Sequence, residues 1–378
     1  MKASTGRLLL LGLSAAAAAG CSVAADYRVY WGDVHTHTRL SDGKGSLDDL
    51  FAYARDEARL DFVIVTDHDF GNAHPWWMPK ENWRATQARA DAYTAAGRFV
   101  AIAGYEWTSQ PKYWTEVGGD DVSERLFPGA VRFYNHKCVY FPSRVDYLFG
   151  AKDAAYKDPD ALAEAVRKCG GLVHNAHPDA SPEGRDQFDY LPRYDSVIAN
   201  TEMGPDVLYY DDRTFALDWE RLACGFLGRG RKTGFVSGTD THEGRPAART
   251  AVLARRLTRG AIFDALRRRR TYAVSNARIL LDFRINGHCM GEDIRIEGQP
   301  RIAVDVRGTH PIEEVALVRD GTVIRRFRPG TETAALACVD DAFAESAWYY
   351  VRVTQVDRDT FGNPSRAWSS PIWVRRGR

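Results

Sequence analysis

The sequence predicts an α/β chain, a closed or distorted βα barrel followed by a small C-terminal β-sandwich. Three observations carry this expectation. From Tyr27 to about Ala273, β-rich apolar runs alternate with amphipathic helical stretches, the pattern of βα units around a mainly parallel sheet. The runs number seven, too many for a small doubly wound sheet. Beyond about Ala273 the helical patterns stop and short alternating strand candidates replace them.

Taken in order, the chain opens with Lys2, Arg7 and an apolar run at 8–19, shorter than the roughly 20 residues a bilayer span needs. Residues 1–25 are therefore read as a signal peptide, with no transmembrane segment left after its removal. Val23-Ala24-Ala25 offers small residues to an ordinary signal peptidase. The alternative is a lipoprotein box at Ala18-Ala19-Gly20-Cys21, which would anchor the chain through Cys21 as an outer-membrane lipoprotein. Ordinary cleavage is preferred, because a first strand near Tyr27 leaves almost no tether after Cys21. Either way the expected location is periplasmic or secreted.

The barrel is assigned to 26–273, with strands expected at 28–37, 61–67, 98–106, 131–141, 171–177, 196–202 and 232–240. Helical patterns fit between several of them, at 47–59, 82–96 and 159–168. The four arginines at 267–270 close a helical pattern that starts near Ala261 and are read as a solvated last turn complementing the helix dipole. The β-sandwich is assigned to 274–378, with strand candidates at 280–286, 301–306, 315–323, 348–356 and 371–374. Asp320-Gly321 and Pro329-Gly330 supply turns there.

At 378 residues, 44% hydrophobic and 27% charged, the chain is long enough for a real core and not biased toward disorder. Its formal charge of +1 falls to −1 once Lys2 and Arg7 leave with the leader, so no global field favours nucleic acid and none is expected as a partner. Cys138, Cys169, Cys224, Cys289 and Cys338 are odd in number and show no CxxC spacing, which argues against cysteine carrying the chemistry.

Chemistry-bearing residues gather at the ends of the expected strands. The first run closes with Asp33, His35 and His37, followed by Asp42; the second ends in Asp67-His68; the third ends in Glu106. His136 lies within the fourth, the fifth ends in His177, and the seventh is followed through Asp240 to His242. In a barrel the C-terminal strand ends share one rim, so these groups would converge. Side chains alternate along a strand, so His35 and His37 share a face and can chelate one ion, as can Asp240 and His242. Imidazole with carboxylate suits zinc, manganese, iron or nickel. Six histidines with Asp42, Glu106 and Asp240 exceed the need of one ion and match two or three sharing bridging carboxylates, an arrangement that activates water for hydrolysis. Packing alone does not explain six converging imidazoles, since buried polar groups must be satisfied. His74, His174, His288 and His310 fall off this pattern and are read as structural or surface residues.

The segments GDVHTHTRLSDG, TDHD, GYE, NHK, NAHP and GTDTH, in this order, resemble the PHP superfamily, named for polymerase and histidinol phosphatase domains. The likeness spans residues 30 to about 270. The leader, Tyr30-Trp31 before the first motif and the ending at 366–374 look like a secreted bacterial branch whose relatives include metallohydrolases of the carbaryl hydrolase type. This resemblance implies a distorted seven-stranded βα barrel, TIM-like in outline, holding two or three divalent ions (zinc, manganese or iron), with phosphoester hydrolysis the usual reaction. It further implies a first ion held by His35, His37, Glu106 and Asp240, a second by Glu106, His136 and His177, and a third by Asp42, His68 and His242. Asp33 and Asp67 beside these ligands are read as carboxylates that fix imidazole tautomers, with ligation by Asp67 itself the alternative.

The function expected is a metal-dependent phosphoesterase acting on a small-molecule phosphate ester, a hydroxide bridging the ions serving as nucleophile. Lys44, Lys137 and Arg245, next to ligand motifs, are candidates for phosphate recognition at the rim. A carboxylester or carbamate hydrolase is the alternative, in which Trp76, Trp77, Trp83, Trp107, Tyr113 and Trp114 would line a pocket for an aryl leaving group. An envelope binding protein that uses the β-sandwich for recognition is a third, disfavoured because the ligand set is intact.

Overall fold

The computed structural model describes residues 27–69, 78–109, 134–151, 153–178, 187–210, 213–216 and 218–377. The expected leader with Cys21, and His74, Trp76, Trp77, Tyr113 and Trp114, lie outside the described residues. Among the described residues no helix is long and apolar enough to cross a membrane.

Nine strands make the N-terminal half: β1 (Arg28–Asp33), β2 (Phe62–Val65), β3 (Val100–Ser109), β4 (Asn135–Tyr140), β5 (Leu172–Asn175), β6 (Ile198–Glu202), the hairpin β7 (Val207–Tyr210) and β8 (Arg213–Ala216), and β9 (Gly234–Val236). Between them lie α1 (Leu47–Ala52), α2 (Lys80–Tyr93), α3 (Pro159–Lys168) and α4 (Trp219–Gly228). Then follow β10 (Thr250–Ala254), α5 (Arg259–Arg267) and β11 (Thr271–Val274). The C-terminal strands are β12 (Leu280–Ile285), β13 (His288–Cys289), β14 (Asp293–Ile296), β15 (Arg301–Arg307), β16 (Ile312–Arg319), β17 (Thr322–Phe327), β18 (Thr333–Val339), β19 (Ser346–Arg358), β20 (Pro364–Ser369) and β21 (Ile372–Arg376).

Local signals account for the helix starts. Ser46 caps α1 in a capping box with Asp49, Asp158 accepts from the Ala161 amide ahead of Pro159 in α3, and Thr258 caps α5. Beyond Ala52, the helix that begins as α1 runs on as a π-helical turn, Tyr53–Glu57, within the expected span 47–59. The arginines at 267–270 are not all solvated: Arg268 and Arg270 pair with Asp264, while Arg269 is half-buried and donates to the Asp195 carbonyl.

All seven expected runs contain a strand, and β1-β2-β3-β4-β5-β6-β9 lie in that order in one sheet. β4 is antiparallel to both neighbours; the other pairings in this series are parallel. Phe62 and Ile64 of β2, Val100 and Ile102 of β3, Tyr140 of β4, Leu172 of β5 and Val236 of β9 meet in one buried cluster with Ile262, Phe263 and Leu266 of α5. The opposite face of β2, Val63 and Val65, packs with Leu50 and Phe51 of α1. A strand covered on both faces explains the unbroken apolar run Phe62–Val65.

The series departs from a closed barrel at one point. β1 is not laddered to β9 but pairs antiparallel with β10, from Arg28↔Ala254 to Gly32↔Thr250. The segment after β9 reaches β1's end only through the bridge Thr36↔Thr241 and two bonds, His37 N–H to Thr241 O (3.0 Å) and Asp240 N–H to His35 O (3.0 Å). The reason is edge satisfaction: a free β1 edge would leave a row of unpaired amides, and β10 covers it.

The C-terminal strands are continuous with the main sheet in hydrogen bonding. The main sheet runs on through β10, β11, β20, β19, β21 and β14, with Tyr272↔Ser369 in the β11–β20 ladder, and β16 and β17 extend it from β19. A four-stranded sheet, β13-β12-β15-β18, stands apart from it in hydrogen bonding. Phe283 and Val304 of that sheet bury against Val315, Val351 and Tyr272 of the main one. The result is a mixed α/β chain with one large sheet and few helices.

Candidate metal centre

Nine of the residues read from the sequence converge at one rim. His35 and His37 follow β1, His68 follows β2, Glu106 lies in β3, His177 follows β5, and Asp240 and His242 follow β9. Because β4 runs against its neighbours, its N-terminal residue pair brings His136 to the rim that the other strands reach with their C-terminal ends. Asp42 arrives on the turn after His37, where Gly43 is required because a Cβ there would lie 2.6 Å from the His37 carbonyl carbon.

Three groups of potential ligands form. In the first, His35 Nε2 lies 3.2 Å from His37 Nε2, 3.2 Å from Glu106 Oε2 and 3.3 Å from Asp240 Oδ1, and His37 Nε2 lies 3.0 Å from Asp240 Oδ1. In the second, Glu106 Oε1 lies 2.8 Å from His136 Nδ1 and 3.1 Å from His177 Nε2, with His68 Nδ1 3.1 Å from Oε2. In the third, Asp42 Oδ2 faces His242 Nε2 at 3.2 Å and His68 Nε2 at 3.5 Å, and Asp42 Oδ1 lies 3.7 Å from His37 Nδ1. Glu106 Oε2 thus faces the first group together with His68, and Oε1 faces His136 and His177. His35, His37 and Glu106 are fully buried, whereas the Asp240 side chain is 40% exposed and those of Asp42 and His242 28%, so the site opens on that side.

The hydrogen bonds behind the rings decide which nitrogens face inward. His242 Nδ1–H donates to the Asp240 carbonyl (2.9 Å), so its Nε2 lone pair points at Asp42. Thr108 donates to the Glu106 carbonyl (3.2 Å) and so accepts from His68 Nδ1–H (2.7 Å), turning His68 Nε2 to Asp42. His35 Nδ1–H donates to Glu202 Oε1 (3.0 Å), turning its Nε2 to Glu106 and Asp240. His35 Nε2 and His37 Nε2, 3.2 Å apart, both face Glu106 Oε2 and Asp240 Oδ1, so a cation placed between them would be met by all four atoms.

The residues fit divalent ions by two further tests. Separations of 3.0–3.4 Å in the first group match about 3.3 Å, the tetrahedron edge for metal–ligand bonds of about 2.0–2.1 Å. Glu106 Oε2 is buried without a hydrogen-bond donor, and among the described residues no Lys or Arg pairs with Glu106, Asp240 or Asp42. Buried carboxylates without a cation cost several kcal/mol each. In the protein alone the imidazoles take up that role. Burial disfavours charge on His68, but Glu106 and Asp42 outweigh it and push the ring up to about 9. Burial would also raise Glu106 and Asp240, yet the surrounding imidazoles hold both well below the usual carboxylate range.

Asp33 and Asp67 are placed differently from the expectation, which is corrected here. Asp33 accepts from the His35 and Thr239 amides (3.2 and 3.0 Å), the Thr239 hydroxyl (2.6 Å) and the Ala247 amide (3.0 Å). Asp67 accepts from the Thr38 amide and hydroxyl (2.6 and 2.7 Å) and from Ser41 Oγ (2.8 Å). Both grip the ligand-bearing loops rather than an imidazole. The carboxylate that orients a ligand ring is Glu202, which the sequence reading left unassigned at the end of β6.

Of the three expected rim cations, Lys137 is corrected, and Lys44 and Arg245 stay at the surface. Lys137 is buried, donating to Asn175 Oδ1 and the Gln187 carbonyl (2.8 Å each), and burial pushes its ammonium down to about 7. Lys44 is exposed but bidentate to Glu243 (2.8 and 2.9 Å), and the Arg245 guanidinium stacks on Tyr53 at 5.1 Å. Trp83 and Trp107 are core residues whose indoles donate to the Val145 and Tyr156 carbonyls, not pocket walls. His174, read as structural, is buried behind the site and contacts Glu202 (3.1 Å) and stands with His35 and Cys138 in a fourth cluster. Burial pushes the Cys138 thiol up. Asp69 was also missed: it accepts from the Thr108 and Ala151 amides (2.9 and 2.6 Å), and burial raises it to about 6.

Comparisons with known proteins add the following. Residues 230–294, a stretch that includes Asp240 and His242, match a family described as "Protein of unknown function (DUF3604)". Uncharacterized proteins of Chlamydia trachomatis and Chlamydia muridarum are 23% and 22% identical over 392 residues, covering 94% of this chain; one of Chlamydia pneumoniae is 22% identical over 383 residues. The chain spans 58%, 58% and 57% of the length of these three relatives. Among solved structures, a two-domain protein from Bacteroides vulgatus, described as containing a "predicted PHP-like metal-dependent phosphoesterase", aligns with a TM-score of 0.46 at 14% identity, covering 88% of this chain and 92% of that one.

Proposed function

We propose that this chain is a metal-dependent phosphoesterase of the PHP type, its ions held by His35, His37, Asp42, His68, Glu106, His136, His177, Asp240 and His242. The observation that carries the reading is Glu106, whose two buried oxygens each face a separate set of imidazoles. When bound, divalent ions (zinc, manganese or iron) would acidify water and neutralise the oxygens of a phosphoryl group. The protein's own residues do the rest. Glu106 would be shared between ions and Asp240 would hold one with His35 and His37, the ring hydrogen bonds of His35, His68 and His242 orient their imidazoles, and the exposed side of Asp42, Asp240 and His242 would admit the ester. Read with the expected leader at 1–25, the activity belongs to an exported protein.

The carbonyl hydrolase alternative loses the support of Trp83 and Trp107, which are core residues. The test is initial hydrolysis of p-nitrophenyl phosphate, bis-p-nitrophenyl phosphate and a p-nitrophenyl carboxylester with manganese or zinc, alongside a chelator-treated sample and His177→Ala. Chelator-sensitive phosphoester turnover lost in the variant is expected. Carboxylester turnover alone contradicts the phosphoesterase reading and favours the alternative.

A further inference from the structure

Glu202 closes β6 and is 1% exposed, yet it carries three polar contacts that converge from separate elements. Its Oε1 accepts from His35 Nδ1 (3.0 Å) and faces His174 Nε2 at 3.1 Å; its Oε2 accepts from the His177 amide at 2.6 Å. His177 has φ of 23°, a left-handed backbone that is strained for a non-glycine residue and persists only when the surroundings hold it. The other end of that residue is held too, because Asn135 Nδ2 donates to the His177 carbonyl at 3.1 Å. Gly238 passes so close that a Cβ there would lie 2.8 Å from Glu202 Oε1 and 2.2 Å from His35 Cβ. One buried carboxylate therefore grips the ring of a residue in the first group and the strained backbone of a residue in the second. It stands on the far side of the His35 ring from Glu106, with both oxygens engaged, so it is no ligand itself.

We propose that Glu202 is a positioning residue that couples two ion sites, fixing His35 as its Nδ1–H tautomer and His177 in its strained backbone. This rests on the metal reading above. The test is competition titration of the metal-free full chain, unmodified and Glu202→Gln, with zinc or manganese against a chromophoric chelator, together with circular dichroism and thermal melting of both metal-free proteins.

Gln keeps the size of the side chain but offers one acceptor oxygen where Glu offers two. The expected result is a fall of about 10–100-fold in the two tightest affinities, with the metal-free fold retained. Affinities within threefold of the unmodified chain, or a fall in only one, overturn the inference while leaving the metal reading intact. A lowered melting temperature with unchanged affinities assigns Glu202 a structural role alone and overturns it as well. Failure of the unmodified chain to bind either metal overturns the metal reading and this inference with it. Should the variant not fold, imidazole ¹H–¹⁵N correlation spectra of the unmodified, metal-loaded chain decide: a proton on His35 Nδ1 supports the inference, and one on Nε2 overturns it.

Discussion

His136 and Lys137 are neighbours on β4, and the strand's alternation sends them opposite ways: His136 to Glu106, Lys137 to Asn175 and Gln187. That correction was within reach of the sequence, since a strand that turns one residue toward the site must turn the next one away. The ligands themselves were legible because HxH and DTH each place two donors within a few residues at a strand end. Glu202 was not, since a single Glu at a strand end looks like any solvated carboxylate until the fold brings His35 and the His177 amide onto it. A pH dependence belongs at this scale. Glu106 and Asp42, outweighing burial, hold His68 up to about 9, so in the metal-free protein its ring keeps a proton through neutral pH. An ion must displace that proton, so affinity falls as pH falls, by up to about tenfold per unit for each proton displaced. Chelator competition at pH 6, 7.5 and 9 checks this; an affinity that does not change between pH 6 and 9 contradicts it.

At the scale of elements, periodicity located all seven strands of the series because long apolar runs such as Phe62–Val65 are buried on both faces. It did not find β10 or β11, each only four or five residues; the pairing of β10 with β1 is a long-range event without a local signature. The segment after β9 shows how tightly elements are fitted to the site. Gly238 lies where a Cβ would enter His35 and Glu202, so Gly238→Ala must displace the stretch that carries Asp240. The expected loss is about 1–3 kcal/mol in urea unfolding, accompanied by weaker metal binding. Unfolding and metal affinity both equal to the unmodified chain would show that this close approach is not required.

At the scale of the whole molecule, the expected division near residue 273 falls inside a continuous sheet. β11 pairs with both β10 and β20, and Glu220 of α4 accepts from Tyr350, Arg352 and Trp368 of the C-terminal strands. Composition changes at that point, from helix-bearing to all-β, which is why the sequence reads as two domains there. Hydrogen-bonding partners across the change are invisible to composition. The chain is close to neutral as a whole, with a formal charge of +1, yet it gathers Glu106, Asp240 and Asp42 at one rim without a Lys or Arg paired to any of them among the described residues. Divalent ions are the account's answer to that imbalance. Elemental analysis of the purified protein, loaded with manganese or zinc and then dialysed, tests this most directly, run beside Glu106→Ala. Two or three ions per chain are expected, with at least one lost in the variant, because Glu106 is shared between two groups. Less than one ion per unmodified chain, or equal content in both proteins, would contradict it.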